Sequence, residues 1–134
     1  METRQVAEIF FERMASNEYI QAFEMLDENV IYTIIGSTPI SGVFNGKKEL
    51  FERLTPTLEK FKEPVKIRIK EYIVEGERAV VITEGIGEAP FGYYVQDPCV
   101  FIIRVNHGRI TNLLELVDTV MLETRMFGSI LTRQ

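Results

Sequence analysis

The sequence is short of the two side chains on which many catalytic and metal sites are built. It holds one cysteine, Cys99, and one histidine, His107, in 134 residues. A single cysteine excludes an internal disulfide and favours a reducing compartment, so a cytoplasmic location is expected. Cys99 opens the apolar run Cys99-Val100-Phe101-Ile102-Ile103 and reads as a small buried hydrophobe. His107 lies in Asn106-His107-Gly108, which reads as a solvent-exposed turn, and a histidine-dependent triad is excluded. No His, Cys or carboxylate cluster has metal-ligand spacing. No Gly-rich strand-to-helix loop fits a dinucleotide or a phosphate. The expectation is a protein that uses neither a metal nor another cofactor.

Positive charge is also scarce: 20 acidic residues against 15 basic ones give a formal net charge of -5. A nucleic-acid partner needs a basic face to displace counterions from phosphates, and none is predicted here. The one compact basic stripe, Lys66, Arg68 and Lys70, alternates along a predicted strand and reads as its solvated face. No apolar run approaches the length of a membrane span. The opening Met1-Glu2-Thr3-Arg4-Gln5 leads straight into an amphipathic pattern without the apolar core of a signal peptide. Internal repeats and low-complexity linkers are absent. What remains is 46% hydrophobic and 26% charged, an ordinary globular mixture. We read residues 1–134 as one domain, large enough to bury about two-thirds of the surface its unfolded chain exposes.

Val6, Ile9, Phe10 and Met14 recur at helical spacing over Glu2–Met14, and Ser16-Asn17 interrupts them. A second short helix is expected over about Glu18–Leu26, ended by Asp27-Glu28-Asn29. Val30–Ile35 is dense in β-branched and aromatic residues and predicts a strand. A loop through Gly36-Ser37-Thr38-Pro39, Ser41-Gly42 and Asn45-Gly46 follows. A third helix starts near Lys47 with Leu50, Phe51, Leu54 and Leu58 as its apolar face. Pro56 predicts a kink there, or a restart capped by Thr55. After Pro64 the pattern is all strand: Val65–Val74, Arg78–Gly87, a long Gly92–Val105 and Arg109–Asp118, then a helical tail. This order predicts an α+β domain in which a curved, mostly antiparallel sheet and three N-terminal helices enclose a conical pocket.

The run Gly36-Ser37-Thr38-Pro39-Ile40-Ser41-Gly42, between a strand and a helix, resembles the same loop of ketosteroid isomerases and, more so, of SnoaL-like polyketide cyclases. The stretch Gly108-Arg109-Ile110 through Leu114-Glu115-Leu116-Val117-Asp118-Thr119 is similar to the last strand of that group. The resemblance implies the nuclear transport factor 2-like fold over nearly the whole chain. That fold hosts isomerases, cyclases, epoxide hydrolases and assembly modules, so it does not decide function. Several active positions that the resemblance implies fail to match. The isomerase base falls at Thr33, and its protonated acid at Val100 or Phe101. The Arg and Asp of the epoxide hydrolases fall at Gly85 and Gly87. The terminal-strand aspartate of those hydrolases has a counterpart, Asp118.

Asp118 is therefore the expected catalytic carboxylate. It shares strand parity with Leu114 and Leu116, and desolvation there would raise its pKa. The alternative for Asp118 is a cap on the helix that follows. Glu115 has the other parity and is expected at the surface or an interface. Glu84, in parity with Val80, Ile82 and Ile86, is the best second acid. Tyr32 and Tyr94 are expected to offer phenols to a ligand, as Tyr93 could. Phe51, Leu54 and Leu116 complete the expected wall of a pocket of a few hundred Å³. The expected ligand is a small apolar, oxygenated molecule. Two functions stay open: a cofactor-independent isomerase, cyclase or lyase, and a non-catalytic binding or assembly module. Both parities of Val100–Val105 are largely apolar, more than one core needs, which predicts a homodimer through the outer sheet face.

Overall fold

A computed structural model describes all of residues 1–134. Helix α1 (Thr3–Ala15) opens with the Gln5 side chain accepting the Glu2 amide at 3.3 Å, and turns off at Asn17, whose φ is 60°. Its Val6, Ala7, Phe10 and Phe11 are fully buried, whereas Ile9 and Met14, expected on the inner face with Val6 and Phe10, are half-buried. Helix α2 is shorter than expected, Tyr19–Phe23. Strand β1 begins at Leu26 and runs to Ile34. Asp27-Glu28-Asn29 lies within that strand instead of ending a helix, at an irregular stretch where the Asp27 carboxylate accepts the Asn29 amide.

The loop after β1 contains a strand that the turn residues concealed, β2 (Gly42–Asn45), paired antiparallel with β1. Helix α3 (Lys47–Leu58) passes through Pro56 without a restart. The Thr55 hydroxyl turns back onto the Phe51 carbonyl and caps no new helix. Four long strands follow: β3 (Glu63–Glu75), β4 (Arg78–Ala89), β5 (Gly92–Asn106) and β6 (Arg109–Leu116). They form a meander whose last turn uses positive φ at both His107 (51°) and Gly108 (74°), as a two-residue hairpin loop requires. The tail is a short helix, α4 (Thr119–Met121), and a π-helical turn over Leu122–Met126.

The six strands lie in the order β2-β1-β6-β5-β4-β3, antiparallel except for β1 against β6. Irregular pairing places extra residues on β3, β5 and β6, and such bulges bend a sheet. The interruption in β6 decides which residues face inward. Val105 pairs with Ile110, but Arg104 pairs with Asn112, so Thr111 is an extra residue on its strand. Ile110 and Leu113, three apart, are consequently both buried. Beyond the bulge the odd-numbered residues face the helices.

The concave face is covered by α1, α2 and α3 through linked aromatic rings. Phe101 meets Phe11 at 4.9 Å and Phe11 meets Phe10 at 5.0 Å. Phe23 then contacts Phe10, Phe51 and Tyr32. Such edge and tilted contacts add to the burial that holds helices on a sheet. The architecture is the expected α+β one, with a curved, mostly antiparallel sheet. No helix is long and apolar enough to cross a membrane.

Candidate functional site

Between the concave face and the helices lies an apolar cavity of about 110 Å³. It is smaller than expected because Phe23, Phe61, Phe101 and Tyr94 project into the cone. An outer hollow of about 260 Å³ shares the wall formed by Met14, Leu58, Phe61, Val65 and Ile67. Phe61 stands at this boundary with its ring edge-on to Tyr94, 5.1 Å between centroids.

Glu115 supplies the carboxyl of the cavity. On β6 it follows the bulge and so points inward, where it accepts a 2.7 Å hydrogen bond from the Tyr32 hydroxyl. Tyr32 stands on β1 two residues before Ile34, the partner of Glu115, on the same face, and its length spans the offset. Burial pushes the Glu115 carboxyl up from its ordinary value, and the Tyr32 bond only partly opposes this. Burial, and then the neighbouring Glu115, push the Tyr32 phenol well above its usual range. Glu115 was expected at the surface or an interface. The bulge at Thr111 reverses that parity, and both parities here are apolar (Leu113 and Val117 against Leu114 and Leu116), so alternation gave no warning.

Asp118 lies elsewhere. It is exposed and does not line the cavity, and its carboxylate accepts the Val120 and Met121 amides at 3.0 and 3.1 Å. It is the cap of α4, the alternative reading of that residue. Its backbone matters more to the cavity than its side chain does. The Gln96 amide, only 3% exposed, grips both peptide groups of Asp118 and also meets the Tyr94 hydroxyl.

Of the expected ligand contacts, Tyr32, Leu54 and Tyr94 line the cavity. Phe51 packs behind it against Phe23. Leu116 faces the outer side of the sheet. Glu84 does too, paired with Arg68 at 3.1 Å and Lys70 at 3.9 Å. Lys70 also pairs with Asp97, so most of the basic stripe is engaged in surface ion pairs. Tyr93 is exposed. Cys99 is buried and borders the cavity, where burial raises its thiol pKa, and Thr83 beside it donates to the Cys99 carbonyl at 2.9 Å. Gly85 and Gly87, where an Arg and an Asp were implied, have no room for side chains. A Cβ would lie 2.9 Å from the Val65 side chain at the first, and 3.1 Å from the Glu63 carbonyl oxygen and the Val65 Cα at the second. No group of three or more His, Cys, Asp or Glu residues is arranged to hold a metal.

No family model matches the chain, and no curated protein matches it. Solved structures do. A nuclear transport factor 2-like protein from Burkholderia thailandensis superposes with a TM-score of 0.82 at 12% identity, over 93% of this chain and 97% of that one. A protein from Jannaschia, assigned as a SnoaL-like polyketide cyclase, superposes at 0.76 with 14% identity, over 96% and 93% of the two chains. A Bacillus subtilis protein assigned as an isomerase superposes at 0.74 with 15% identity, over 97% and 96%. The chain has the nuclear transport factor 2-like fold.

Two substitutions separate the carboxylates. Asp118→Ala should cost about 1 kcal/mol of stability in urea unfolding, through the lost cap. Glu115 has a raised folded pKa, so the native state holds its proton more tightly than the unfolded chain does. Stability should therefore fall as pH climbs from the ordinary carboxyl value to the raised one, and stay lower above it. Glu115→Gln should flatten that slope and leave the protein at least as stable at neutral pH; an unchanged slope would count against the burial of this carboxyl.

Proposed function

We propose that the chain is a cofactor-independent acid–base enzyme, an isomerase, cyclase or lyase that moves a proton on a small, apolar, oxygenated molecule. One observation carries this reading: the Glu115 carboxyl, paired with Tyr32, opens onto an apolar cavity where burial brings its pKa towards the range useful to a general base. As a carboxylate, Glu115 takes a proton from a carbon next to a carbonyl. The C–H electron pair moves into the new C=C bond as the carbonyl π pair withdraws onto oxygen. As the carbonyl re-forms, the enolate pair takes the proton from Glu115 at another carbon, or attacks a second carbonyl carbon whose π pair moves onto its oxygen and takes that proton. In the lyase case the pair forms a C=C bond as a β-substituent leaves with its bonding electrons and takes the proton. Tyr32 donates to Glu115 throughout and holds the carboxyl in one orientation. The names of the Jannaschia and Bacillus subtilis neighbours agree with proton chemistry on this fold, as an analogy.

The second reading, a non-catalytic binding or assembly module, is favoured by the presence of just one carboxyl in the cavity wall. Deuterium exchange separates the two. In D₂O, wild-type protein should accelerate exchange next to the carbonyl in members of a panel of small cyclic ketones, followed by proton NMR. Glu115→Gln should reduce that rate about 10²–10⁴-fold. Equal rates for the two proteins, or no acceleration across the panel, would leave the binding module as the better account.

The outer face supports a proposed homodimer. Leu114, Ile102 and Val80 form one apolar row across β6, β5 and β4, and Leu116, Val100 and Ile82 the next. All six are only half-buried. A second copy laid on these rows would remove them from water. Sedimentation equilibrium at micromolar concentration should give twice the chain mass, and Ile102→Lys should shift it to one. A wild-type monomer would refute the arrangement.

A further inference from the structure

We infer that Tyr94 is the hydrogen-bond donor that selects the ligand of this cavity, with Gln96 as the residue that sets its direction. The inference rests on the proposed reading of the cavity as a site for a small oxygenated molecule; the role of Tyr94 does not depend on turnover, whereas the C–H placed at Glu115 follows from its proposed role as base. It starts from the Gln96 side chain. The Asp118 amide lies 2.7 Å from Gln96 Oε1, and the Asp118 carbonyl oxygen 3.0 Å from Gln96 Nε2. A peptide N–H only donates and a peptide carbonyl only accepts, so the side-chain amide has one possible orientation. Its second N–H meets the Tyr94 hydroxyl oxygen at 3.0 Å. That oxygen therefore accepts, and the phenol's own proton points elsewhere.

No protein acceptor receives it. Tyr94 makes no hydrogen bond other than the one from Gln96, and the ring lines the cavity with 5% of its surface exposed. The other buried hydroxyls of the wall are committed, Tyr32 to Glu115 and Thr83 to the Cys99 carbonyl. Thr57 is half-exposed on the last turn of α3. Burial raises the Tyr94 phenol above its ordinary range, which keeps the proton in place. Glu115 uses Oε1 for Tyr32 and leaves its second carboxyl oxygen without a protein partner.

The cavity thus presents one uncommitted buried O–H and one uncommitted carboxyl oxygen, within apolar walls. Its complement is a ligand with a carbonyl oxygen for Tyr94 and an acidified C–H for Glu115. Size limits it further. An apolar cavity of about 150 Å³ takes benzene, so about 110 Å³ is tight for even one six-membered ring, part of which extends towards the outer hollow. The chemical class is a compact monocyclic ketone or enone.

The probe is cyclohex-2-enone carrying ¹³C at its carbonyl, bound to the full chain and read by isotope-edited infrared spectroscopy, with calorimetry for affinity. Bound to wild type, its carbonyl stretch should lie below that in hydrocarbon solvent, as a donated hydrogen bond requires. Tyr94→Phe should return the stretch to the hydrocarbon value and weaken binding roughly three- to tenfold. Glu115→Gln should leave the lowered stretch in place. Gln96→Met should move the band towards the hydrocarbon value, and in Tyr94→Phe/Gln96→Met it should move no further than in Tyr94→Phe alone. A merely structural role for Gln96 would lower the melting temperature without moving the band, and would overturn that part of the inference. An unshifted stretch in bound wild type, or the same lowered stretch in Tyr94→Phe, would overturn the role of Tyr94 while leaving the pocket intact. No measurable binding to wild type would overturn both the inference and the pocket reading beneath it.

Discussion

A carboxyl surrounded by hydrocarbon has to be paired or kept neutral, because an isolated buried charge costs several kcal/mol. Glu115 meets this constraint with the Tyr32 phenol and with a raised pKa. The bond also joins two strands that neighbour each other only because β1 is inserted beside β6 as the parallel pair of the sheet. Tyr32 then braces Phe23 and Phe44 edge-on, which ties the position of the carboxyl to the helices that roof the cavity. The polar pair, the strand order and the aromatic packing are consequently hard to alter one at a time.

A single extra residue, Thr111, determines that Glu115 and not its neighbours faces inward. Without that bulge, Leu114 and Leu116 would enter the cone, and the carboxyl would lie on the outer face among the apolar rows. Register by itself is worth little energy. Its consequence is large because strand side chains alternate, and one residue of slip exchanges the two faces. The second polar pair, Gln96 with Tyr94, is secured differently, by the strand end at Asp118. One pair is positioned by strand register and the other by a backbone clamp.

Much of the fold was legible in the sequence. The helical spacing of Val6, Phe10 and Met14, the four-strand meander after Pro64 and the loop at Gly36 were enough to give the cone. Strand β2 was hidden because its Gly42 and Asn45 are turn residues, and its pairing with β1 is a long-range contact. The site was less legible. Tyr32, Leu54 and Tyr94 could be placed from apolar parity and aromatic character. Asp118 stood out through resemblance, yet its side chain satisfies helix amides. Glu115 was misplaced because a bulge leaves no compositional trace where both faces are apolar. Gln96 went unnoticed, since nothing in a lone glutamine signals two contacts to a peptide group 22 residues away.

The burial of Glu115 is the premise on which the cavity chemistry stands. Carbon-detected NMR titration of its side-chain carboxyl, assigned by comparison with Glu115→Gln, tests that premise most directly. The account predicts a midpoint above the roughly 4.3 of an unperturbed glutamate, moving higher still in Tyr32→Phe as the opposing hydrogen bond is lost. A midpoint at or below the unperturbed value would place the carboxyl in water and contradict the account.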